Sequence, residues 1–323
     1  MATLEKRLTD SPDSAREELE RGSFARPLES QAQTRLVIAT YNIRYAVGSF
    51  LITGSLLRRL HLKLPQRRAR LVSRHISRAS RALSDGTRLP RVDVLALQEA
   101  DKQTARAGRL HVARELAREL QMDYVHASLN LPRGEEAKSN QWYLDFEERL
   151  APDETGDTGL ATLSRFPFSE AARVDLPWTE CAWRPRLAIE TVIQVGKRKL
   201  HLFNAHIDPH ASTDEKLEQH AAIIALAQRA TEPTILLGDF NTLTSESRTR
   251  MRGLLESHGY VTPFKDGTAT WRAGLIRLHT DWIFVRNARV TRWGVARRLG
   301  VSDHWPVWVE LDLSDESEKR LDE

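Results

Sequence analysis

The chain has 323 residues, 41% of them hydrophobic, which is enough for one large globular domain or two modest ones. Lys plus Arg number 48 against 44 Asp plus Glu, so the net charge is only +4, and the single cysteine, Cys181, excludes an intrachain disulfide and a thiolate zinc cluster. The N-terminus lacks the apolar run of a signal peptide, and the most apolar stretch, AVGSFLITGSLL (46–57), is too short and too interrupted to span a bilayer, so a soluble, cytoplasmic protein is expected.

Residues 1–33 read as a polar extension in which SPDSAREELERG can form a short capped helix. TRLVIATYN follows as a strand whose apolar run ends in Asn42. QRRARLVSRHISRASRAL places Leu71, Val72, Ile76, Ala79 and Leu83 on one helical face among arginines. VDVLALQEA is a buried strand stopping at Gln98 and Glu99, and TARAGRLHVARELARELQ is a second amphipathic helix. GLATLSRF, RLAIETVIQV and KLHLFNAHI read as strands. STDEKLEQHAAIIALAQRA is a helix opening on a Ser/Thr/Asp cap, and it leads into TILLGDFNTL, where Thr234–Leu237 form a buried strand ended by Gly238. HTDWIFVR, RVTRWGV and HWPVWVELDL add strands near the C-terminus. Interleaved strands and helices to the end of the chain predict a large layered α/β or α+β domain.

Charge is unevenly spread. From Arg44 to Ser84 there are ten basic residues and no acidic one, which suits either a polyanionic neighbour or a solvated helix face.

Polar residues collect where the apolar runs stop: Asn42, Glu99, His206, Asp239, Asn241, Asp281, Asp303 and His304. Buried polar groups are costly unless paired. Each could serve alone as a turn or cap residue, but together at one rim they offer what a hard divalent cation and a phosphate require. Magnesium takes oxygen ligands and is typically held by one or two carboxylates. A His beside a carboxylate can stay protonated and face charge developing on a phosphoryl group.

TYNIR, LALQE, GLATLSRFP, NAHID, LLGDFNT, TDWIFV and SDHWPVWVEL resemble, in order, the motifs of the endonuclease/exonuclease/phosphatase superfamily over residues 34–313. The resemblance implies an α/β fold, a four-layer α/β sandwich with two mixed β-sheets face to face flanked by helices. It also implies a catalytic domain at 34–313 carrying an apolar and basic insertion at 46–65, and a charged tail at 314–323. Carried over by residue, it makes Glu99, Asn42 and Asp303 the metal-side residues. Asp239 becomes the residue that orients or deprotonates water, with Asn241 beside it on the phosphate. His206 contacts phosphate, and Asp281 pairs with His304. Arg186 and Asn204 are implied substrate-binding residues. The implied cofactor is Mg²⁺, with Mn²⁺ as a substitute, and the implied reaction is water attack on a phosphoester.

NAHID is similar to the deoxyribonuclease and neutral sphingomyelinase side of the superfamily. The arginine block favours nucleic acid, DNA or RNA, as substrate. A phospholipid head group is the alternative, with peripheral membrane contact through Phe50, Leu51, Ile52, Arg58, Arg59 and Lys63 of the insertion. Trp142 and Tyr143 are candidates for stacking on a base or head group. No stable protein partner is expected. A catalytically silent binding protein on the same fold is the reading from another class, and it leaves the acidic strand ends without a purpose.

Overall fold

The computed structural model of the chain describes residues 19–26, 34–48, 65–131, 150–180, 184–297 and 299–314. Most of the 46–65 insertion, together with Trp142 and Tyr143, lies outside the described residues. Seven strands form one sheet, ordered β1 (Leu19–Gly22), β4 (Asp123–Ser128), β5 (Gly159–Ser164), β3 (Val94–Gln98), β2 (Arg35–Asn42), β14 (Val307–Asp312) and β13 (Arg289–Val295). Five form the other, ordered β12 (Asp281–Arg286), β9 (Thr234–Asp239), β8 (Arg198–His206), β7 (Leu187–Val195) and β6 (Phe168–Asp175). Each sheet is mixed, with one parallel pair, β2–β3 in the first and β8–β9 in the second. Leu36, Ile38, Val94 and Val309 of the larger sheet share a core with Leu202, Leu237 and Ile283 of the smaller, so the sheets pack face to face. Strands between two layers are covered on both faces, which is why VLALQ and TILLGD read as continuous apolar runs rather than alternating ones.

Helices α1 (Pro65–Ser84) and α2 (Val112–Leu120) cover the outer face of the larger sheet, and α3 (Thr213–Ala227) and α4 (Ser245–Ser257) that of the smaller. In α1, Val72, Ile76, Ala79 and Leu83 are buried while Arg67, Arg70, Arg74, Arg78 and Arg81 face solvent. Ser212 and Glu215 cap α3 reciprocally, and the Thr244 hydroxyl accepts from Ser247 N at the start of α4. Among the described residues no helix is long and apolar enough to cross a membrane.

Two local expectations change. Of the helix expected over 11–22, residues 11–18 lie outside the described residues and Leu19–Gly22 form β1, which pairs antiparallel with β4 and adds an edge strand to the sheet. The helix expected from Thr104 begins only at Val112. Asp101 ties Thr104 and Arg106 into a turn, and Gly108, at φ +64°, packs its α-carbon onto the α1 backbone at Ala69, where a helix side chain would not fit.

Candidate active site

Strand register assembles the site. Across the smaller sheet, His206 on β8 lies opposite Asp239 on β9, which lies opposite Asp281 on β12. In the larger sheet Asn42 on β2 lies opposite Gln98 on β3, with Glu99 next in chain. Asn42 then joins the sheets, its Nδ2 donating to Glu99 Oε1 and to Asp239 Oδ2, both at 3.0 Å. Gly238 lets β9 lie close against β8: at φ +141°, a Cβ there would lie 1.9 Å from the carbonyl oxygen of Ala205.

Around the strand ends of the smaller sheet, burial and charge pairing set the protonation of the site. His304 Nδ1 bonds both carboxylate oxygens of Asp281, at 3.0 and 2.9 Å, and its Nε2 is 3.7 Å from Asp239 Oδ2. Burial disfavours the charged imidazole, but Asp281 and then Asp239 overcome it and raise the His304 pKa to about 10, so the ring is a cation at neutral pH. The Asp239 carboxyl is pushed up by burial, against the opposing pull of His304. His206 Nε2 lies 3.7 Å from the same Asp239 oxygen, while its Nδ1 accepts from Arg186 at 3.4 Å. Burial first, then Arg186 and Arg184, lower the His206 pKa well below the usual imidazole value and keep that ring neutral. Asn241 sits at φ 48°, its backbone N–H on Asp239 Oδ1 and its Nδ2 on the Ile207 carbonyl.

The larger sheet contributes a different environment. Glu99 is half-buried at φ 53°, fixed through its carbonyl by Tyr45 N–H at 3.0 Å, and its Oε2 has no partner among the described residues. Arg44, Tyr45 and Ala46 all have positive φ, a strained turn wedged beside the carboxylate, with Arg106 stacked 3.5 Å over the Tyr45 ring. Asn42 Oδ1 accepts from Arg44 N, so this amide orients Glu99 and Asp239 and its own oxygen is already engaged. Asp303 faces Arg44 at 3.5 Å and accepts from Ser302, adjacent to the cluster through His304.

Asn204 is not brought to the cluster's open side. Fully buried, it donates to the Leu97 and Ala161 carbonyls and accepts from Gln98, bridging the two sheets. Arg186 is buried beside His206 and 4.0 Å from Asp208, with Nε and Nη2 lacking hydrogen-bond partners among the described residues. Two residues escape sequence reasoning. Asp208 closes the far side of Arg186 and accepts from Thr179. Lys216 on α3 donates to the Asn241 and Pro209 carbonyls from a buried position. A signal existed for the second: Lys216, Gln219 and His220 occupy the helical stripe that continues as Ile223, Ile224 and Ala227.

The sequence model of the Endonuclease/Exonuclease/phosphatase family matches residues 39–304. The chain belongs to this family. Its fold is similar to the family protein from Beutenbergia cavernae, at TM-score 0.58 and 17% identity over 87% of this chain and 72% of that one. It is similar also to a Bacteroides thetaiotaomicron mannosyl-6-phosphatase (TM-score 0.52, 17% identity, 85% and 99% covered). D. rerio TDP2, in complex with a single strand DNA product, gives TM-score 0.53 at 15% identity, with 86% and 99% covered. At these identities the likeness is one of fold. No curated protein matches the chain.

Family members are phosphoester hydrolases that generally use a divalent metal, and the chain is a hydrolase of this class. Its residues fit such an ion. Glu99 presents a hard oxygen donor already oriented by Asn42, with one oxygen open. Asp239, Asp281 and His304 also place one ligand atom each within 4.8 Å of one another. There, however, His304 Nδ1 is already engaged by Asp281, and both carboxylates are buried. Glu99, half-buried with one oxygen open, leaves more room for a hydrated ion than the buried group does.

Proposed function

We propose that the chain hydrolyses a phosphodiester by in-line attack of water, on the deoxyribonuclease and sphingomyelinase side of the family, with Mg²⁺ as the working ion and Mn²⁺ as a substitute. Residues 34–313 form the catalytic unit, and β1 of the preceding segment adds an edge strand. One observation carries the reading: Asp239 Oδ2 is flanked at 3.7 Å by the Nε2 atoms of both His206 and His304, while Asp281 holds His304 from behind.

Each residue then has a task. Asp239, its basicity raised by burial, takes a proton from the attacking water as oxygen bonds to phosphorus. The His304 imidazolium faces the charge that gathers on the phosphoryl oxygens. Arg186, with uncommitted N–H groups, and neutral His206, through its Nε2–H, bind a non-bridging oxygen. Asn241, fixed in its left-handed turn by Lys216, holds the phosphate in line. The P–O bond to the leaving alcohol breaks and the leaving oxygen takes a proton from solvent water, while Asp239 later returns its own to solvent. Glu99, with Asn42 and Asp303, would hold the divalent ion, which would supply Lewis-acid neutralisation of phosphate charge.

Two substrate classes fit this chemistry. Nucleic acid is favoured by the solvent-facing arginines of α1, which suit a phosphate backbone. A phospholipid is favoured by the exposed apolar side chains on loops at the catalytic rim. The test is Mg²⁺-dependent hydrolysis of bis(p-nitrophenyl) phosphate, plasmid DNA, RNA and lipid vesicles by purified protein, with Asp239→Asn as control. Hydrolysis that survives Asp239→Asn would sink the residue assignment.

A further inference from the structure

A two-stranded hairpin, β10 (Trp271–Ala273) and β11 (Ile276–Leu278), stands outside both sheets. Its foot is bonded into the site. Thr270 Oγ1 accepts from Asp281 N, Trp271 pairs with His304, and Arg272 N donates to the Asp303 carbonyl. Its tip is the reverse of a soluble turn. Leu275 is 96% exposed and Ile276 62%, and around Gly274, at φ +59°, nothing else of the protein comes close. Below the tip Arg272 and Arg277 face each other directly across the two strands. Like charges so placed repel, and neither guanidinium has a carboxylate partner among the described residues.

The same rim carries other exposed apolar side chains. Trp178 (54%) lies in the loop joining β6 to β7 at the His206 end, and Leu243 (39%) follows Asn241 by two residues. Of the six large apolar side chains exposed among the described residues, four therefore stand around the catalytic mouth, the exceptions being Val261 and Trp293.

We propose that this rim docks on an anionic lipid surface, with Leu275 and Ile276 entering the acyl boundary and Arg272 and Arg277 on lipid phosphates. Apolar insertion combined with cationic contact is what an interfacial element requires. A nucleic-acid backbone would satisfy the arginines but leave Leu275 and Ile276 in water. Because the hairpin foot is hydrogen-bonded to Asp281 and Asp303, a docked tip brings head-group phosphoesters to the Asp239–His304 pair. The inference rests on the phosphodiesterase reading for its chemistry, and the docking itself is testable apart from it.

The experiment is co-sedimentation of the full chain with vesicles of phosphatidylcholine alone or mixed with phosphatidylglycerol, alongside binding to duplex DNA. Wild type should bind the anionic vesicles and leave the neutral ones. Leu275→Asp/Ile276→Asp should weaken that binding by at least about tenfold, and Arg272→Gln/Arg277→Gln by about fivefold per arginine. Hydrolysis of bis(p-nitrophenyl) phosphate by these variants should match wild type, which certifies their folding and tests the reaction separately. Vesicle binding unchanged by the tip substitutions, or DNA binding lost with them while vesicles are ignored, overturns the proposal. Absent hydrolysis with tip-dependent vesicle binding would remove the catalytic reading and leave the docking surface standing.

Discussion

The two sheets bring acids of opposite character to one rim. Asp239 and Asp281, on the five-stranded sheet, are buried and hydrogen-bonded. Glu99, just past β3 of the seven-stranded sheet, is half-buried with one oxygen open. A proton-transfer group needs desolvation and partners to set its pKa, whereas a metal ligand needs a free lone pair and room for the ion's own waters. Under the proposed function this difference in burial divides the labour, and Asn42, bonded to one acid of each kind, joins the two environments.

The sharpest way to break the comparison is on the proton side. Asp239→Asn should lower kcat by about 10²–10⁴-fold with circular dichroism unchanged, because it alters no volume. On the metal side, Asn42→Ala should raise the Mg²⁺ concentration for half-maximal rate roughly 10–100-fold, and Glu99→Gln at least as much, while rate at saturating ion recovers more fully than in Asp239→Asn. If Glu99→Gln instead abolishes activity at any metal concentration, the division of roles fails.

The charge of His304 offers a subtler probe. Its pKa is raised from 6.5 to about 10 in the folded protein, so its stabilising contribution is full below pH 6.5 and is lost as pH rises through about 10. The urea-midpoint gap between wild type and Asp281→Asn should therefore be widest just below pH 6.5 and narrow steadily toward pH 10; a gap independent of pH would mean that the pair is not ionic. The smallest expected effect on stability belongs to Asn241→Gly. Relief of the left-handed backbone offsets the lost amide bond to within about 1 kcal/mol, yet kcat should fall because the phosphate loses its contact. Equal losses of stability and rate would assign Asn241 a structural role only.

Much of this was legible in the chain. Buried strands such as LALQ and TILLG announce themselves because both faces are covered, and the polar residues closing each run sit where packing gives way to solvent. The β1 strand was not, since LERG carries no strand pattern and is ordered by pairing with β4 and by Glu20, which meets Tyr124 and Lys102. Nor was the start of α2, which depends on Asp101 gathering a turn around itself.

By itself, then, the sequence determined the kind and order of the strongly patterned elements and the chemistry waiting at their ends, but not β1, β4, β6, α4 or the hairpin, because hydrophobic period and chain breakers act over a few residues. Tertiary structure alone decided the partners. The bond from Asn42 to Asp239 spans 197 residues of chain, the one from Gln98 to Asn204 spans 106, and the carbonyl that Lys216 supports lies 25 residues away. It made Asn204 a bridge between the sheets, Asp239 a buried acid and Glu99 an open one. The reason is physical: a carboxylate's pKa and its free lone pairs depend on what desolvates and contacts it, and those neighbours come from strands that meet only when both sheets close.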